Sequence, residues 1–413
     1  MNYGPVLAAA FVLGPVIAVL GGKGFAPLLG LTGVAALFIA RPKMPPAIFA
    51  LAGFAFIAWA ALSELWSPSG SALISGSLLE GSFSVDARSV SAALLTLSAA
   101  LTIAASLRAA PSEKSSSIVT WMLGVQATLI IAALALAGPV LSALYGDDTK
   151  LLNGGVQDLS RSANVLALTL PLLLPLLIAR GRQKGAVVAA ILVLGAVTMF
   201  VVGSNDSAVF ALLGMGAAVA LVFLFPRNGF RWLFGLIAGY IVAAPILFTG
   251  LIRVLDPIAA SLPGSFRSRL WCWEYVIGRV QEAPFTGHGL DASRQWKATF
   301  ETLPDKLAQL PDHWKDYPIV PGHPHNMALQ IWAETGLIGA VLVALSLVAL
   351  AFHLPRPQDL RPEVRFAAAG LAGAATVIFS FAYSLWNEAF WSALALLAAA
   401  IVLWHRTLRA RAS

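Results

Sequence analysis

Apolar residues fill most of this chain in long runs, and short polar stretches interrupt the runs at fairly regular intervals. A helix needs about 17–25 residues to cross the hydrocarbon core of a bilayer. Twelve runs are long enough, at about residues 3–20, 25–40, 45–65, 88–108, 117–145, 163–179, 186–203, 207–225, 231–251, 326–352, 364–384 and 388–406. The pattern predicts an all-α polytopic membrane protein with about 12 transmembrane helices, and the even number places both termini on one side.

The longest polar interruption, residues 252–325, separates the ninth and tenth runs. We predict a single transmembrane domain over residues 1–413, with 252–325 as one embedded loop subdomain that contains short helices. Because the rest of the chain has so few polar groups, this concentration marks the working face. The segment holds eight basic residues and four histidines: Arg253, Arg267, Arg269, Arg279, Arg294, Lys297, Lys306, Lys315, His288, His313, His323 and His325.

The composition supports this class of protein. Hydrophobic residues make up 58% of the 413 positions and charged residues 11%, whereas soluble domains average about 25% charged. Basic loops at a membrane surface explain the net charge of +7, so the expected partners are membrane lipids and not nucleic acid. The single cysteine, Cys272, excludes an intrachain disulfide. No basic residue precedes the first apolar run, so we expect a retained span and not a cleaved signal peptide.

Basic residues are distributed unequally between the two sides of the predicted bundle. The side of the termini holds 15 of the 27 Lys and Arg residues, and the short loops opposite hold four. The positive-inside rule therefore predicts cytoplasmic termini and places residues 252–325 on the outer face. The fifteen are Arg41, Lys43, Arg108, Lys114, Arg180, Arg182, Lys184, Arg227, Arg231, Arg356, Arg361, Arg365, Arg406, Arg409 and Arg411; the four are Lys23, Arg88, Lys150 and Arg161.

The stretch FRSRLWCWEYVIGRVQEAPFTGHGLDA, which begins at Phe266, is the first candidate for chemistry. A helix would place Arg269 and Trp273 on one face, where they can form a cation–π pair. Trp271 is typical of a membrane interface, and Pro284 with the glycines after it ends the helix. The alternative is a basic amphipathic helix whose arginines only touch lipid phosphates. Spacing alone favours that alternative.

His323 and His325 lie two residues apart, directly before the tenth apolar run. Asn326 is suited to begin a helix there, which puts His325 at the membrane surface. One interpretation is a metal site, although no cysteine or acidic cluster completes a zinc ligand set. Another is an interfacial histidine that bonds a backbone carbonyl, and spacing alone favours this one. Glu334, a carboxylate within the tenth run, is a functional candidate by its position.

Two motifs in these regions resemble the signature of the O-antigen ligase and O-antigen polymerase superfamily. The first is His-Asn, nine residues and Gly-x-x-Gly, and the second is Arg-x-x-x-Trp followed by Pro-x-x-Gly-x-Gly. The matching residues are His325, Asn326, Gly336 and Gly339 in the first, and Arg269, Trp273, Pro284, Gly287 and Gly289 in the second. The twelve-span layout with one large outer loop agrees with the same superfamily.

The resemblance implies a metal-independent, inverting glycosyltransferase with a GT-C-like fold and no cofactor. Such an enzyme moves an oligosaccharide or polysaccharide from undecaprenyl pyrophosphate to an acceptor hydroxyl at the periplasmic face of the bacterial inner membrane. The implied acceptor is lipid A-core for an O-antigen ligase and a second lipid-linked glycan for a polymerase. We expect the ligase, with the polymerase as the alternative.

The resemblance also implies roles for single residues. His325 is the implied base, because histidine accepts a proton from a sugar hydroxyl near neutral pH. Arg269 is the implied clamp for the leaving pyrophosphate, because a guanidinium stabilises the charge that develops there. The further expected substrate-binding residues are Arg161, Arg267, Trp273, His323, Asn326 and Arg88.

The chain departs from the superfamily at one turn. The family often has a Ser-Arg-Gly/Ser-Ala turn before the eighth span, where the arginine binds phosphate, but residues 204–208 here read Ser-Asn-Asp-Ser-Ala. Asp206 would repel a pyrophosphate. Arg161, on the preceding outer loop, is the expected substitute for the missing arginine.

Two other classes of membrane protein also fit twelve spans. A transporter or lipid flippase would place ionisable residues near the bilayer midplane, whereas the polar groups here gather on one face. A GT-C enzyme that uses an aspartate in its first outer loop is excluded, because that loop reads GGKGF.

Overall fold

The computed structural model of the chain describes residues 2–40, 47–69, 88–310 and 314–411, and every long element within them is an α-helix. Arg41, Lys43 and His313 lie outside these residues. The helices are α1 Gly4–Val19, α2 Phe25–Ile39, α3 Ala47–Ser63, α4 Arg88–Arg108, α5 Glu113–Ala135, α6 Ala137–Tyr145, α7 Thr149–Val202, α8 Asp206–Leu224, α9 Gly229–Leu255, α10 Gly264–Glu282, α11 Pro304–Leu307, α12 Met327–His353, α13 Pro362–Phe381 and α14 Glu388–Ala410.

The helices have the length and composition of membrane spans. Within the described ranges, nine segments of at least 18 residues are apolar enough to cross a bilayer, and three shorter apolar helices coincide with the first three predicted runs. The all-α polytopic class is therefore confirmed. The number of membrane crossings stays a prediction.

Two of the predicted runs differ from the helices that form. The run at 117–145 divides into α5 and α6 at Leu136, because Pro139 has no N–H to continue the ladder of hydrogen bonds. The run at 163–179 begins earlier, since the Asp148 carboxylate accepts from the N–H groups of Lys150 and Leu151 at 3.0 Å and caps α7 there.

Helix α7 contains two apolar segments, Thr149–Ala179 and Gln183–Val202, and the chain reverses between them. In a straight helix, residues eight apart are separated by about 12 Å along the axis. A Cβ placed on Gly185 would instead contact the Leu177 carbonyl, with the carbonyl carbon 2.8 Å away. Residues 180–184 therefore form the bend of a helical hairpin, where the sequence pattern puts a loop.

Contacts between helix ends identify the two ends of the bundle. The end of α3 reaches residues 284–326, where the Ser67 hydroxyl donates to the Leu290 carbonyl at 2.6 Å. The far end of α14 reaches the α4–α5 connection, where Arg406 Nε donates to the Ala109 carbonyl at 2.6 Å. We call the end of the bundle that carries residues 284–326 the loop end.

Helices α8 and α13 pack closely enough to bring their backbones into contact. A Cβ on Gly373 would lie 2.6 Å from the Ala218 Cβ and would also meet the Gly214 carbonyl. Small residues permit this approach in membrane bundles. The start of α8 and the end of α13 consequently lie side by side at the loop end, where they form part of the candidate site.

Candidate functional site

Helix α12 is broken inside its apolar run. Gly336 has φ 64° and ψ −164°, which interrupts the helix between two halves. A break at membrane depth is tolerated only where the backbone groups it frees find partners within the protein. Here the partners come from residues 284–289, directly after α10.

The two glycine-containing motifs form one interlocked unit at this break. The Ala333 and Glu334 carbonyls accept from the N–H groups of residues 288 and 289, both at 2.9 Å. In return, the N–H groups of residues 337 and 338 donate to the carbonyls of residues 284 and 285, at 2.9 and 3.2 Å. We call this exchange the glycine junction. A Cβ on Gly336 would lie 2.6 Å from the Thr286 nitrogen, so no other residue fits without displacing the backbone.

The Glu334 side chain connects the junction to two further loops. It is fully buried. Its Oε2 accepts from the Asp291 N–H at 2.9 Å and from Trp386 Nε1 at 2.6 Å. Its Oε1 accepts from the Ser293 hydroxyl at 2.7 Å and from the Gln330 amide at 3.0 Å. These four donors satisfy the carboxylate, so Glu334 holds the surrounding loops together. This structural role explains why a carboxylate occurs within an apolar run.

His323 and His325 belong to a tight turn at the start of α12. His325 has φ 50°, in the left-handed region, and its N–H donates to His323 Nδ1 at 3.1 Å. Trp273 Nε1 on α10 donates to the intervening Pro324 carbonyl at 3.0 Å. Asn326 caps α12, because its Oδ1 accepts from the Leu329 N–H at 2.9 Å. The turn is thus fixed from three directions.

The His325 ring has one nitrogen without a partner. A ring N–H donates to the Ala382 carbonyl, and Nδ1 is buried with no hydrogen-bond partner among the described residues. The bonded nitrogen is therefore Nε2, which leaves a lone pair on Nδ1. Burial, with a smaller contribution from the Arg269 charge, lowers the pKa of His325 to about 4. The ring is consequently neutral near pH 7 and can accept a proton.

Arg269 lies on α10 beside this ring. Its guanidinium carbon lies 5.8 Å from the centre of the Phe266 ring. This contact replaces the predicted pairing with Trp273, which instead packs edge-on against Phe248, with 4.8 Å between ring centres. No hydrogen bond or ion pair joins Arg269 to another described residue. Burial lowers the pKa of Arg269, and the nearby Asp206 carboxylate opposes this; an arginine keeps its charge in any case.

An apolar groove of about 690 Å³ begins next to the histidine turn and runs between α8, α9 and α13. Trp273 and Asn326 line the end near the turn. Exposed side chains on its walls, Leu213 and Leu251, show that it opens at the side of the bundle. Further lining residues are Phe210, Tyr240, Phe266 and Phe381. Such a groove suits an apolar chain whose polar head lies at Arg269 and His325.

Residues 191–344, which include the histidine turn and the glycine junction, match the family model described as O-antigen ligase. This part of the chain is similar to the O-antigen ligase family. The apolar helices make the chain a multi-pass membrane protein, and the match extends from the second half of α7 into the second half of α12, beyond Gly336.

Curated proteins also match a part of the chain. A protein of Rickettsia conorii named "Putative polysaccharide ligase" is 28% identical over 190 residues, which is 45% of this chain and 43% of the relative. A protein of Rickettsia bellii with the same name is 30% identical over 212 residues, 49% of this chain and 48% of the relative. The chain thus matches about half the length of these curated relatives.

The candidate site brings together five of the expected residues and leaves three elsewhere. The contacts above join His325, His323, Asn326 and Trp273. Arg269 lies close enough to both histidines for its charge to lower their pKa values. Arg88, in contrast, pairs with Asp291 at 3.4 Å and Glu388 at 3.9 Å. Arg267 donates to the Gln309 carbonyl and holds the loop that follows α11. These two arginines are engaged with the protein.

Arg161 pairs with Asp158 at 2.5 Å, and its charge acts on the Tyr383 hydroxyl. That hydroxyl accepts from the Asn164 amide at 3.1 Å, and Asn164 Oδ1 accepts from the Ser207 hydroxyl at 3.0 Å. This polar chain between α7, α8 and the end of α13 was not identified from the sequence. The available signal was a buried amide within an apolar run, which is costly unless it is bonded.

Two further residues near the candidate site were also missed, namely Tyr240 and Ser380. The Tyr240 hydroxyl on α9 accepts from the Asn326 amide at 2.9 Å and bonds the Ser380 hydroxyl at 3.1 Å. They fix Asn326 as a helix cap at the groove wall. In the part of the chain that the structure describes, no third metal-ligating residue joins the two histidines, and metal independence stays a prediction.

Proposed function

We propose that this protein transfers a glycan from undecaprenyl pyrophosphate to an acceptor hydroxyl, with lipid A-core as the acceptor, at the periplasmic face of the bacterial inner membrane. One observation carries the proposal: a neutral imidazole with a free lone pair lies near a guanidinium that no carboxylate pairs with, next to the end of an apolar groove that Trp273 and Asn326 line. The similarity of residues 191–344 to the O-antigen ligase family supports the same reaction class.

His325 acts as the general base. The acceptor hydroxyl gives its proton to Nδ1 while its oxygen attacks the anomeric carbon of the donor. The bond from that carbon to the pyrophosphate oxygen breaks in the same displacement, so the product has inverted configuration. The proton remains on His325 until a water molecule accepts it. Nδ1 is shielded from solvent in this structure, so the surrounding side chains move when the substrates bind.

Arg269 stabilises the leaving group. Breaking the glycosidic bond places additional negative charge on the pyrophosphate, and a guanidinium without another partner can bond two of its oxygens. Partial burial strengthens that interaction, because the surroundings screen it less than water would. The nearby Asp206 carboxylate partly balances the Arg269 charge. The pocket therefore carries less positive charge than it would with a second arginine in the turn at residues 204–208.

The groove holds the first part of the polyprenyl chain. Its aromatic and aliphatic lining matches an isoprenoid, and its opening at the side of the bundle lets the rest of the tail remain in the bilayer. Trp273 connects the groove to the histidine turn, since its ring lines the groove and its N–H donates to the Pro324 carbonyl in the turn.

Transfer with the purified chain in lipid nanodiscs tests the proposal. The donor is an undecaprenyl-pyrophosphate-linked oligosaccharide, and parallel reactions contain lipid A-core or a second lipid-linked glycan, each with and without EDTA. Glycosylated lipid A-core in both EDTA conditions is the expected result. Product only from the second lipid-linked glycan would identify a polymerase, loss of product in EDTA would contradict metal independence, and no product from either acceptor would reject glycan transfer.

Removal of the Arg269 charge should slow chemistry more than binding. We expect Arg269→Gln to lower kcat by about 10²–10³-fold, as for other single donors to a developing anion. Arg269→Lys keeps the charge but not the paired geometry, so its loss is smaller. Arg279→Gln is the matched control, because it removes a charge from the same helix at a residue that pairs with Glu282. Equal losses in Arg279→Gln and Arg269→Gln would argue against a specific clamp.

The pH dependence should report the depressed pKa of His325. Because the neutral imidazole is the active form, kcat/KM stays level from pH 8 to about pH 5 and falls tenfold per unit below pH about 4. A histidine with an ordinary pKa would already lose activity below pH 6.5. Samples returned from low pH to pH 7 before assay control for inactivation. An acid limb near pH 6.5 would contradict this assignment.

A further inference from the structure

The turn that carries His325 depends on a side chain two residues earlier. His325 has a Cβ, so its left-handed backbone at φ 50° is disfavoured unless the surroundings hold it. The bond from the His325 N–H to His323 Nδ1, 3.1 Å long, closes the turn around Pro324. The two rings also lie against each other, with 4.2 Å between their centres.

This bond determines the state of the His323 ring. An N–H donor needs a lone pair on Nδ1, so the proton of the neutral ring is on Nε2. Burial lowers the pKa of His323 well below its ordinary value, and the neighbouring His325 and the charges of Arg294 and Arg269 lower it further. His323 is therefore a neutral acceptor, and its protonation on Nδ1 would remove the bond.

We propose that His323 is a positioning residue for the base: its Nδ1 holds the His325 peptide N–H in the left-handed turn, and so keeps the His325 ring against the Ala382 carbonyl and beside Arg269. This inference rests on the proposed role of His325 in glycan transfer. It differs from the expectation that His323 binds substrate, because it assigns the function to the inward nitrogen of the ring and not to Nε2–H.

Two amide substitutions separate these roles. The Oδ1 of an asparagine occupies nearly the place of histidine Nδ1 and can accept the His325 N–H. A glutamine side chain instead places its amide near the place of Nε2. His323→Asn therefore keeps the positioning contact, whereas His323→Gln keeps only a group that could face substrate.

We expect His323→Asn to retain kcat within about 3-fold and His323→Gln to lose about 10–100-fold in kcat with KM for both substrates unchanged, as expected for a displaced catalytic group. The reverse order, with Gln active and Asn inactive, would overturn the proposal in favour of substrate binding. Equal activity of both variants and the wild type would also overturn it, since the contact would then be dispensable.

A double-mutant comparison tests whether His323 acts through His325. In the His325→Ala background, His323→Gln should cause no additional loss of the residual rate, because the group that it positions is absent. A full additional loss would overturn the proposal. Thermal unfolding provides a second test, which does not depend on activity. The His323→Gln variant should unfold at a lower temperature than the His323→Asn variant. If the wild type transfers no glycan, the proposed function fails, while this stability difference still tests the contact itself.

Discussion

Replacement of His325 by alanine is expected to lower kcat for glycan transfer by about 10²–10⁴-fold, the usual contribution of a positioned base. KM for the lipid-linked donor should change little, because Arg269 and the apolar groove remain in place. Initial rates of transfer by the purified variant, in the same nanodiscs as the wild type, measure both constants. A variant that retained wild-type kcat would remove the base assignment.

The backbone at His325 provides a matched control for misfolding. Glycine adopts a left-handed conformation freely, so His325→Gly should be more stable than His325→Ala by about 1 kcal/mol. Both variants lack the imidazole and should be equally slow. If His325→Gly recovered activity along with stability, the loss in His325→Ala would be structural. His353→Ala controls for the removal of a histidine at the opposite end of α12, where the exposed His353 ring bonds the Ala349 carbonyl of its own helix.

Among the proposed substitutions, we expect Gly336→Ala to lower the free energy of unfolding the most. The φ and ψ of 64° and −164° belong to a region that only glycine visits readily. The new methyl group would also lie 2.6 Å from the Thr286 nitrogen, so the glycine junction would have to open. The combined cost is about 3 kcal/mol or more. Thermal unfolding in detergent measures the loss, together with the yield of monodisperse protein.

A second glycine shows whether the effect is specific to the junction. Gly216 lies within α8, and a Cβ there would meet no atom within 4 Å. Gly216→Ala should be neutral or slightly stabilising, since alanine favours a helix. Equal unfolding temperatures for Gly336→Ala and Gly216→Ala would show that the junction does not hold α12 in this form.

Much of the fold could be predicted because membrane spans depend on local composition. A run of apolar residues identifies a span almost regardless of its neighbours, and the described helices follow the predicted runs with shifts at α6 and α7. Those shifts arise from Pro139 and Asp148, which act on single backbone bonds that an average over a window does not resolve.

The glycine junction could not be predicted, because it consists of backbone hydrogen bonds between segments distant in sequence. Pro284 and Gly336 were recognised as parts of two separate motifs. Neither side-chain type nor spacing indicates that the N–H after one motif bonds a carbonyl in the other. The resemblance identified the residues, and only three-dimensional contacts show that they form one unit.

The sequence predicts the part of the candidate site whose residues are close along the chain. It does not predict which arginines are available, because that depends on ion pairs between residues distant in sequence. His323, His325 and Asn326 are near neighbours, and they lie together as expected. Arg88 and Arg161 were selected for their charge, but both pair with carboxylates. Whether an arginine is available to a ligand depends on its partners in space, which a sequence does not display.

The glycine junction also affects the distance between His325, the proposed base, and Arg269, the proposed clamp. The first half of α12 extends roughly 10 Å from the junction towards His325 at 1.5 Å per residue, so a tilt of about 6° there would shift its tip by about 1 Å. Displacements of that size can cost about 10²-fold in rate. The bond from Trp273 Nε1 to the Pro324 carbonyl joins the His325 end of this half-helix to α10. The glycine junction and this bond together connect α10 and the residues after it to both ends of the first half of α12. That half therefore cannot tilt unless one of the two connections breaks.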